Sequence, residues 1–159
     1  MTTQEMVQKL TGSLGAMVDS VESPKERRVY INTKRENLLG VVKHLKEQYG
    51  AYHISTITSF DNGDELELLY HVFIDTTFMS IRVKLPKSDP TVNTITPILP
   101  GAVLYEREIS ELMGVKVKGH PDMRLLLLPE NWGNKGFPLR KDWVDPRRPE
   151  PPATEGGDA

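Results

Sequence analysis

Few side chains in this sequence could carry out chemistry, and those that could are scattered along the chain. No two of its four histidines stand at the HxxxH or HExxH spacing that presents two metal ligands on one helix face. The absence of cysteine excludes disulfides, thiolate metal sites, iron–sulfur ligation and cysteine catalysis. A surface or structural role is therefore the favoured interpretation for each histidine: His44, His53, His71 and His120.

Glycines and carboxylates also fail to form a known catalytic motif. There is no GxGxxG, no Gly-x-Ser-x-Gly turn and no P-loop, and the two glycines in residues 133–136 lack P-loop spacing around their lysine. Three acids, Glu106, Glu108 and Glu111, stand close together, with Arg107 among them. They lie on a predicted helix, where acids near the start offset the helix dipole, so a structural role is favoured for them.

Composition narrows the class of protein further. The 159 residues, 38% of them hydrophobic, suit one domain with a core large enough to need no disulfide or metal. With 20 basic and 22 acidic residues, the net charge of −2 argues against a nucleic-acid-binding protein. The local basic excess in residues 133–150 is weak, although it suits salt-bridged docking onto an acidic protein partner.

The chain shows no sign of crossing a membrane. Its longest apolar run is the four leucines of residues 125–128, where about 20 residues would be needed. The first ten residues lack the basic start and apolar centre of a signal peptide. We therefore expect a cytoplasmic protein that contacts a membrane only through a partner.

Hydrophobic periodicity predicts an α+β fold, an antiparallel β-meander covered by helices. A short helix and an extended, Pro-rich C-terminal segment are expected to follow. The predicted helices are residues 3–18, 34–49 and 102–113, and the predicted strands are residues 28–32, 52–60, 65–74 and 79–85.

Residues that typically begin or end helices refine these boundaries. Thr2 or Thr3 can cap the first helix, and residues 20–25 with their proline look like a linker. Thr33 and Glu36 match a capping box at the start of the second helix. Glycines that tolerate the left-handed conformation are expected to end the second and third helices: Gly50 and Gly114.

These predictions divide the chain into a domain and a tail. Residues 1–145 form the α+β domain, and they include a docking segment at about residues 105–143. Residues 146–159, rich in proline and glycine, form a tail that we expect to be flexible when unassembled. The leucine run at 125–128, bounded by two prolines, must be core or interface.

The docking segment contains several spaced blocks that together carry a family resemblance. These blocks are Glu106-Arg107-Glu108, Gly114-Val115, Gly119-His120-Pro121-Asp122-Met123-Arg124, Leu128-Pro129-Glu130-Asn131-Trp132 and Pro138-Leu139-Arg140-Lys141-Asp142. In this order they resemble the signature of the thirty-kilodalton (NuoC-like) subunit family of respiratory complex I. The family includes related subunits of membrane-bound, energy-converting nickel–iron hydrogenases and of F(420)H(2) dehydrogenases. Where its members often have an aspartate, this chain has Glu111.

The resemblance implies a cofactor-free structural subunit in the cytoplasmic peripheral arm of a membrane-bound oxidoreductase. Such a subunit packs against a large hydrogenase-like (NuoD-like) catalytic subunit and supports electron transfer coupled to ion translocation. Iron–sulfur clusters, and in hydrogenase-type complexes nickel–iron, are expected in neighbouring subunits. No catalytic, cofactor-binding or metal-binding residue is expected here, and the location implied is the cytoplasmic face of the cell membrane.

The residue types in these blocks suggest how the segment works. Flanking acids can hold Arg107, and Gly114 and Gly119 allow tight chain reversals because they lack a Cβ. Pro121 fixes its own φ and biases His120 towards an extended backbone. Three basic residues are then available for charge-assisted bonds to a partner: Arg124, Arg140 and Lys141.

Two functions from other classes compete with this interpretation. A stand-alone α+β domain that binds or transforms a small molecule would be purified as a monomer with a deep pocket and its own turnover. An RNA-binding α+β module is disfavoured, because the strands lack the expected aromatic and basic signature and the net charge is negative.

Overall fold

A computed structural model describes residues 2–147, so residues 148–159, most of the predicted tail, lie outside the described part of the chain. Three helices and seven strands alternate in this range. The helices are α1 (Thr3–Leu14), α2 (Leu38–Tyr49) and α3 (Val103–Met113). The strands are β1 (Ser20–Lys25), β2 (Arg28–Thr33), β3 (Ile54–Asp61), β4 (Glu65–Ile74), β5 (Thr77–Pro86), β6 (Thr91–Asn93) and β7 (Lys116–Lys118).

Five strands form one sheet in the order β1-β2-β5-β4-β3, which confirms the predicted α+β fold with its antiparallel meander. The meander is β3-β4-β5, and β1 pairs antiparallel with β2. Within this sheet the β2–β5 pair is parallel. This pair joins the β1-β2 hairpin to the meander. Its strands are parallel because α2 carries the chain to the far edge of the sheet before β3 begins. A second, two-stranded parallel sheet, β6-β7, was not predicted.

One face of the large sheet carries the core, and the other carries mostly polar side chains. Alternate residues of β4 and β5 pack against the apolar stripes of α1 and α2, where Leu10 and Val41 are fully buried. On the polar face, side chains bond across strands. His71 lies 2.9 Å from both the Thr58 and the Ser80 hydroxyl, which ties three strands together.

Two predicted boundaries are wrong. Residues 20–25 are a strand, β1, rather than a linker, and Pro24 is tolerated there because β1 lies at the edge of the sheet. The predicted capping box of Thr33 and Glu36 does not form, since Thr33 still belongs to β2 and α2 begins only at Leu38. The Thr33 hydroxyl instead donates to the Met17 carbonyl oxygen at 2.6 Å.

The predicted caps are confirmed elsewhere. Thr2 caps α1 and forms a reciprocal capping box with Glu5. Gly50 and Gly114 end α2 and α3 in the same left-handed conformation, each with a φ of 72°. None of the helices within residues 2–147 combines the length and the apolar character needed to span a membrane.

Candidate functional site

The sequence blocks of the docking segment come together on helix α3. After β7 the chain folds back along this helix, and the Leu139 N–H donates to the Leu112 carbonyl at 3.1 Å. The next residue, Arg140, donates from Nε to the Met113 carbonyl at 2.7 Å. Residues far apart in sequence therefore share one surface, with α3 as its support.

A carboxylate on α3 holds the backbone of the four-leucine run, which we call the leucine loop (residues 125–128). The nearly buried Glu111 accepts hydrogen bonds from the backbone N–H groups of Leu126, Leu127 (2.8 Å) and Leu128 (3.1 Å). Hydrogen bonds to an ionised acceptor are stronger than neutral ones, so one side chain fixes three consecutive residues.

Arg107 holds the other side of the same backbone. Its Nε donates to the Arg124 carbonyl and its Nη2 to the Leu125 carbonyl, each at 2.8 Å. Arg107 and Glu111 lie one turn apart on one face of α3, and we call this pair the backbone clamp. The prediction that flanking acids hold Arg107 is wrong, because backbone carbonyls take that place.

The clamp binds the backbone of the leucine loop, and the side chains of its first three residues are exposed to solvent. Leu125 is 45% exposed, Leu126 39% and Leu127 57%. A run of three exposed leucines on a fixed backbone is an apolar patch of the kind found at protein interfaces. The leucine run was predicted to be core or interface, and the exposure of these side chains excludes the core.

A second contact fixes the end of the segment against α3. Gly114 is buried, and a Cβ built on it would come within 2.5 Å of the Phe137 ring. The Arg140 guanidinium also packs on this ring, 4.6 Å from the Phe137 centroid. Gly114 is therefore needed both for its positive φ and for the close approach of the aromatic ring.

Asp61, at the end of β3, anchors the last motif block. Its buried carboxylate accepts the Lys141 N–H at 2.9 Å and pairs with Lys87 Nζ at 2.7 Å. The hydrogen bond from Lys87 is the main reason that the pKa of Asp61 is lowered to about 2. Lys87 also lies 3.5 Å from the carboxylate of Asp142.

Two tryptophans close the turn at residues 133–136. Trp132 and Trp143 stack with ring centroids 5.9 Å apart, and their indole N–H groups donate to the Gly136 and Lys135 carbonyls. The glycines of this turn therefore shape a chain reversal. Next to it, Pro138 is partly buried, and Leu139 is 56% exposed.

A buried polar cluster lies beneath the start of α3. Glu106, fully buried, accepts the Ile95 N–H at 2.8 Å and the Thr94 hydroxyl at 2.5 Å. Burial raises the pKa of Glu106, despite these bonds and the nearby His120. The hydroxyl of Tyr70, also fully buried, has no hydrogen-bond partner among the described residues, and burial together with the Glu106 charge raises its pKa.

His120 connects this cluster to Asp122, which lies shortly before the leucine loop. Its Nδ1 accepts the Asp122 N–H, and its Nε2 lies 3.0 Å from the Val103 carbonyl oxygen, a pattern in which Nε2 is the donor. Asp122 in turn binds the Arg124 guanidinium at 2.7 and 2.9 Å, and these bonds lower the pKa of Asp122. The charge of Arg124 is thus already matched within the chain.

The three basic residues that were predicted to contact a partner have different environments in the structure. Arg124 is paired with Asp122, and Arg140 binds the end of α3. Lys141 is exposed, and the hydrogen bond to Asp61 uses only its backbone N–H. The predicted contacts of these residues with a partner stay predictions, and Lys141 is the clearest candidate among them.

Sequence reasoning missed the role of Glu111, which it treated as one of several helix acids. The available signal was its spacing of four residues from Arg107, which puts an acid and a base on one helix face. It also missed Asp61, because a strand-end aspartate gives no sign of a contact 80 residues away.

No group of three or more potential ligands that could hold a metal ion occurs within residues 2–147. A recess with a volume of about 530 Å³ lies beside the ends of β2 and β5. It is lined mostly by polar and charged residues, among them Lys34, Arg82 and Lys84, and includes no residue of the docking segment.

Comparison with known proteins identifies the family. Residues 31–148 match the family described as respiratory-chain NADH dehydrogenase, 30 Kd subunit. Since this match covers more than half of the chain, the protein belongs to that family of subunits of complex I-like and hydrogenase-like membrane complexes.

Three similar proteins illustrate the range of the family. A subunit of the NADH-quinone oxidoreductase of Moorella thermoacetica is 37% identical over 112 residues, covering 68% of this chain and 74% of the relative. A subunit of the F(420)H(2) dehydrogenase of Methanosarcina mazei is 28% identical over 149 residues, covering 90% of this chain and 92% of the relative. A chain in the structure of the membrane-bound sulfane sulfur reductase, an archaeal respiratory membrane complex, has the same fold, with a TM-score of 0.74, 21% identity, and coverage of 89% and 85% of the two chains.

The backbone clamp predicts the effect of Glu111→Gln. The neutral amide cannot accept three N–H groups as strongly, and each bond to a charged group contributes about 1.5–3 kcal/mol. We expect backbone amide exchange of Leu126, Leu127 and Leu128 to accelerate by about tenfold or more, measured by hydrogen–deuterium exchange. Glu108→Gln, on the same helix, is the control and should leave these rates unchanged; equal rates in both variants would contradict the clamp.

Gly114→Ala should destabilise the protein more than Gly50→Ala. Both glycines have the same left-handed backbone, and placing a Cβ there costs about 1–2 kcal/mol. Only at Gly114 does the new Cβ collide with a ring, that of Phe137, which adds about 1–3 kcal/mol. Denaturant unfolding measures both losses, and equal losses would show that the Phe137 contact is not tight.

Glu106→Gln should change the pH dependence of stability. Because folding raises the pKa of Glu106, its contribution to stability is greatest below the unfolded pKa and is lost as pH rises through the folded pKa. The glutamine variant lacks this loss, so its free energy of unfolding relative to the wild type should increase over the pH range that starts near the ordinary carboxyl pKa of 4.5 and extends through the raised pKa of Glu106. A difference that stays flat, or falls, over this range in urea titrations would contradict the buried-acid description; Glu108→Gln is the matched control.

Proposed function

We propose that this protein is a cofactor-free structural subunit of the peripheral, cytoplasmic arm of a membrane-bound respiratory oxidoreductase. Its docking segment binds the large hydrogenase-like catalytic subunit, and the complex couples electron transfer to ion translocation. Iron–sulfur clusters, and nickel–iron in a hydrogenase-type complex, belong to the partner subunits in this proposal.

The observation that carries the proposal is the leucine loop. Exposed apolar side chains on a flexible loop could simply collapse, but here Arg107 and Glu111 hold the backbone so that the leucines project outward. A chain that stayed alone would gain nothing from this arrangement, because each exposed leucine leaves apolar surface in water. Burial against a partner explains both the clamp and the exposure.

Family membership supports the kind of partner. The relatives are named as subunits of a quinone oxidoreductase and of an F(420)H(2) dehydrogenase, and the related fold occurs in a respiratory membrane complex. These enzymes differ in electron donor or acceptor. A component that they all share is more readily explained as a scaffold than as the site of one particular reaction.

Native purification tests the proposal. A tagged chain expressed in its own host should be recovered with a hydrogenase-like large subunit and iron–sulfur subunits in fixed stoichiometry, identified by mass spectrometry. Recovery of the tagged chain as a monomer, with its own turnover or a stoichiometric cofactor, would contradict it.

Charge reversal at Lys141 should weaken this association without unfolding the chain. Its side chain is exposed, and a charge at an interface rim acts mainly on association rate and salt dependence. We expect Lys141→Glu to raise the dissociation constant for the large subunit roughly fivefold at low salt, and less at high salt. Lys9→Glu, on the exposed side of α1, is the control, and equal affinities of the two variants would contradict a role for Lys141.

A further inference from the structure

The leucine loop carries an inference about what the partner surface must look like. Its three exposed side chains belong to Leu125, Leu126 and Leu127, and the clamp binds one backbone polar group of each of these residues. We infer that this loop is a preformed apolar knob that inserts into an uncharged, apolar pocket on the large catalytic subunit. The inference rests on the proposed function and adds the chemistry of the contact.

The charges next to the knob support an uncharged pocket. Arg124 is matched by Asp122, Arg107 donates to carbonyls, and Glu111 accepts backbone N–H groups. The opposite charges of Arg107 and Glu111 sum to zero, so the clamp brings no net charge into the contact. If the pocket contained a charged group, the leucines would remove its water without offering an opposite charge, and this costs free energy.

The size of the knob supports a partner that also contacts neighbouring parts of the segment. A stable interface buries about 800 Å² on each partner, which is more than three half-exposed leucines can supply. Four other apolar side chains within residues 123–144 are also exposed and can add to the contact: Met123, Phe137, Leu139 and Val144 are 42%, 38%, 56% and 80% exposed. The knob is thus expected at the centre of a larger contact, where binding energy concentrates.

A second copy of this chain is the competing occupant. A groove of about 340 Å³ lies next to Gly114, Val117 and Phe137, and the knob of another copy could insert there. Two lysines, Lys116 and Lys118, line this groove, so it is a poor match for an uncharged knob. Unless it is reciprocal, such a contact joins two different surfaces and gives a ring or an open chain of molecules.

The knob also explains why its backbone is clamped before binding. Ordering a flexible loop at the moment of binding would cost affinity, and a loop already in its bound shape avoids that cost. Glu111 is thus a positioning residue: it does not reach the partner, and its loss should reduce affinity while the leucines are unchanged.

The test measures, by surface plasmon resonance, how tightly the full chain binds the large subunit purified without it. The double variant Leu126→Gln with Leu127→Gln should lose at least about thirtyfold in affinity, the size of a hot-spot loss. Tyr52→Gln, at a side chain that is 72% exposed and outside the segment, is the control and should stay within twofold of the wild type. Glu111→Gln should lose affinity about tenfold, whereas Glu108→Gln should not.

The outcomes separate the two proposals. If the wild-type chain does not bind the large subunit, the proposed function fails, and the knob fails with it. If the wild type binds but the double leucine variant binds equally well, only the knob is overturned. If light scattering shows that the wild type self-associates and the double variant does not, the pocket belongs to a second copy, which also overturns the inference.

Discussion

Leucines stay projected into water only if something other than their own side chains holds the backbone beneath them. In this protein that support is one turn of α3, where Arg107 binds carbonyls and Glu111 binds N–H groups of the same short loop. Backbone groups that would otherwise need solvent are satisfied by two ionised side chains. The side chains of the loop are then free to face outward.

The rest of the C-terminal third follows from the same helix. Gly114 ends α3 without a Cβ, so Phe137 can lie against it and Arg140 can bind the last carbonyl of the helix. Asp61 then holds the backbone of Lys141 to the edge of the five-stranded sheet. These contacts fix an irregular, Pro-rich segment that has little regular secondary structure of its own, and they tie it to the folded core rather than leaving it as a tail.

Much of the fold could be predicted from the sequence, because alternating and helical periodicities are local signals. The meander, the three helices and the caps at Gly50 and Gly114 came from such patterns. The missed strand β1 carries a proline and exposes most of its residues, so its pattern looked like a linker. The predicted start of the second helix was wrong because the Thr33 hydroxyl donates to the distant Met17 carbonyl instead of capping the helix.

Motif blocks indicated where to place the candidate site, and that placement stays a prediction, whereas the contacts that fix the segment were not predicted. Blocks of motif residues marked the docking segment, and the leucine run required an interface or a core. The partners of Glu111 and Asp61 could not be read from the chain, because each contact joins residues whose spacing has no periodic signature. The sequence also suggested that Arg124 and Arg140 are available to a partner, but both bind groups of this chain.

The most direct test is a structure of the native membrane complex that contains this subunit. We predict that Leu126 and Leu127 are buried in an uncharged pocket of the large catalytic subunit, with the Arg107 and Glu111 contacts unchanged. Leucines that face solvent in the assembled complex, while another surface of this protein makes the contact with the large subunit, would contradict this account.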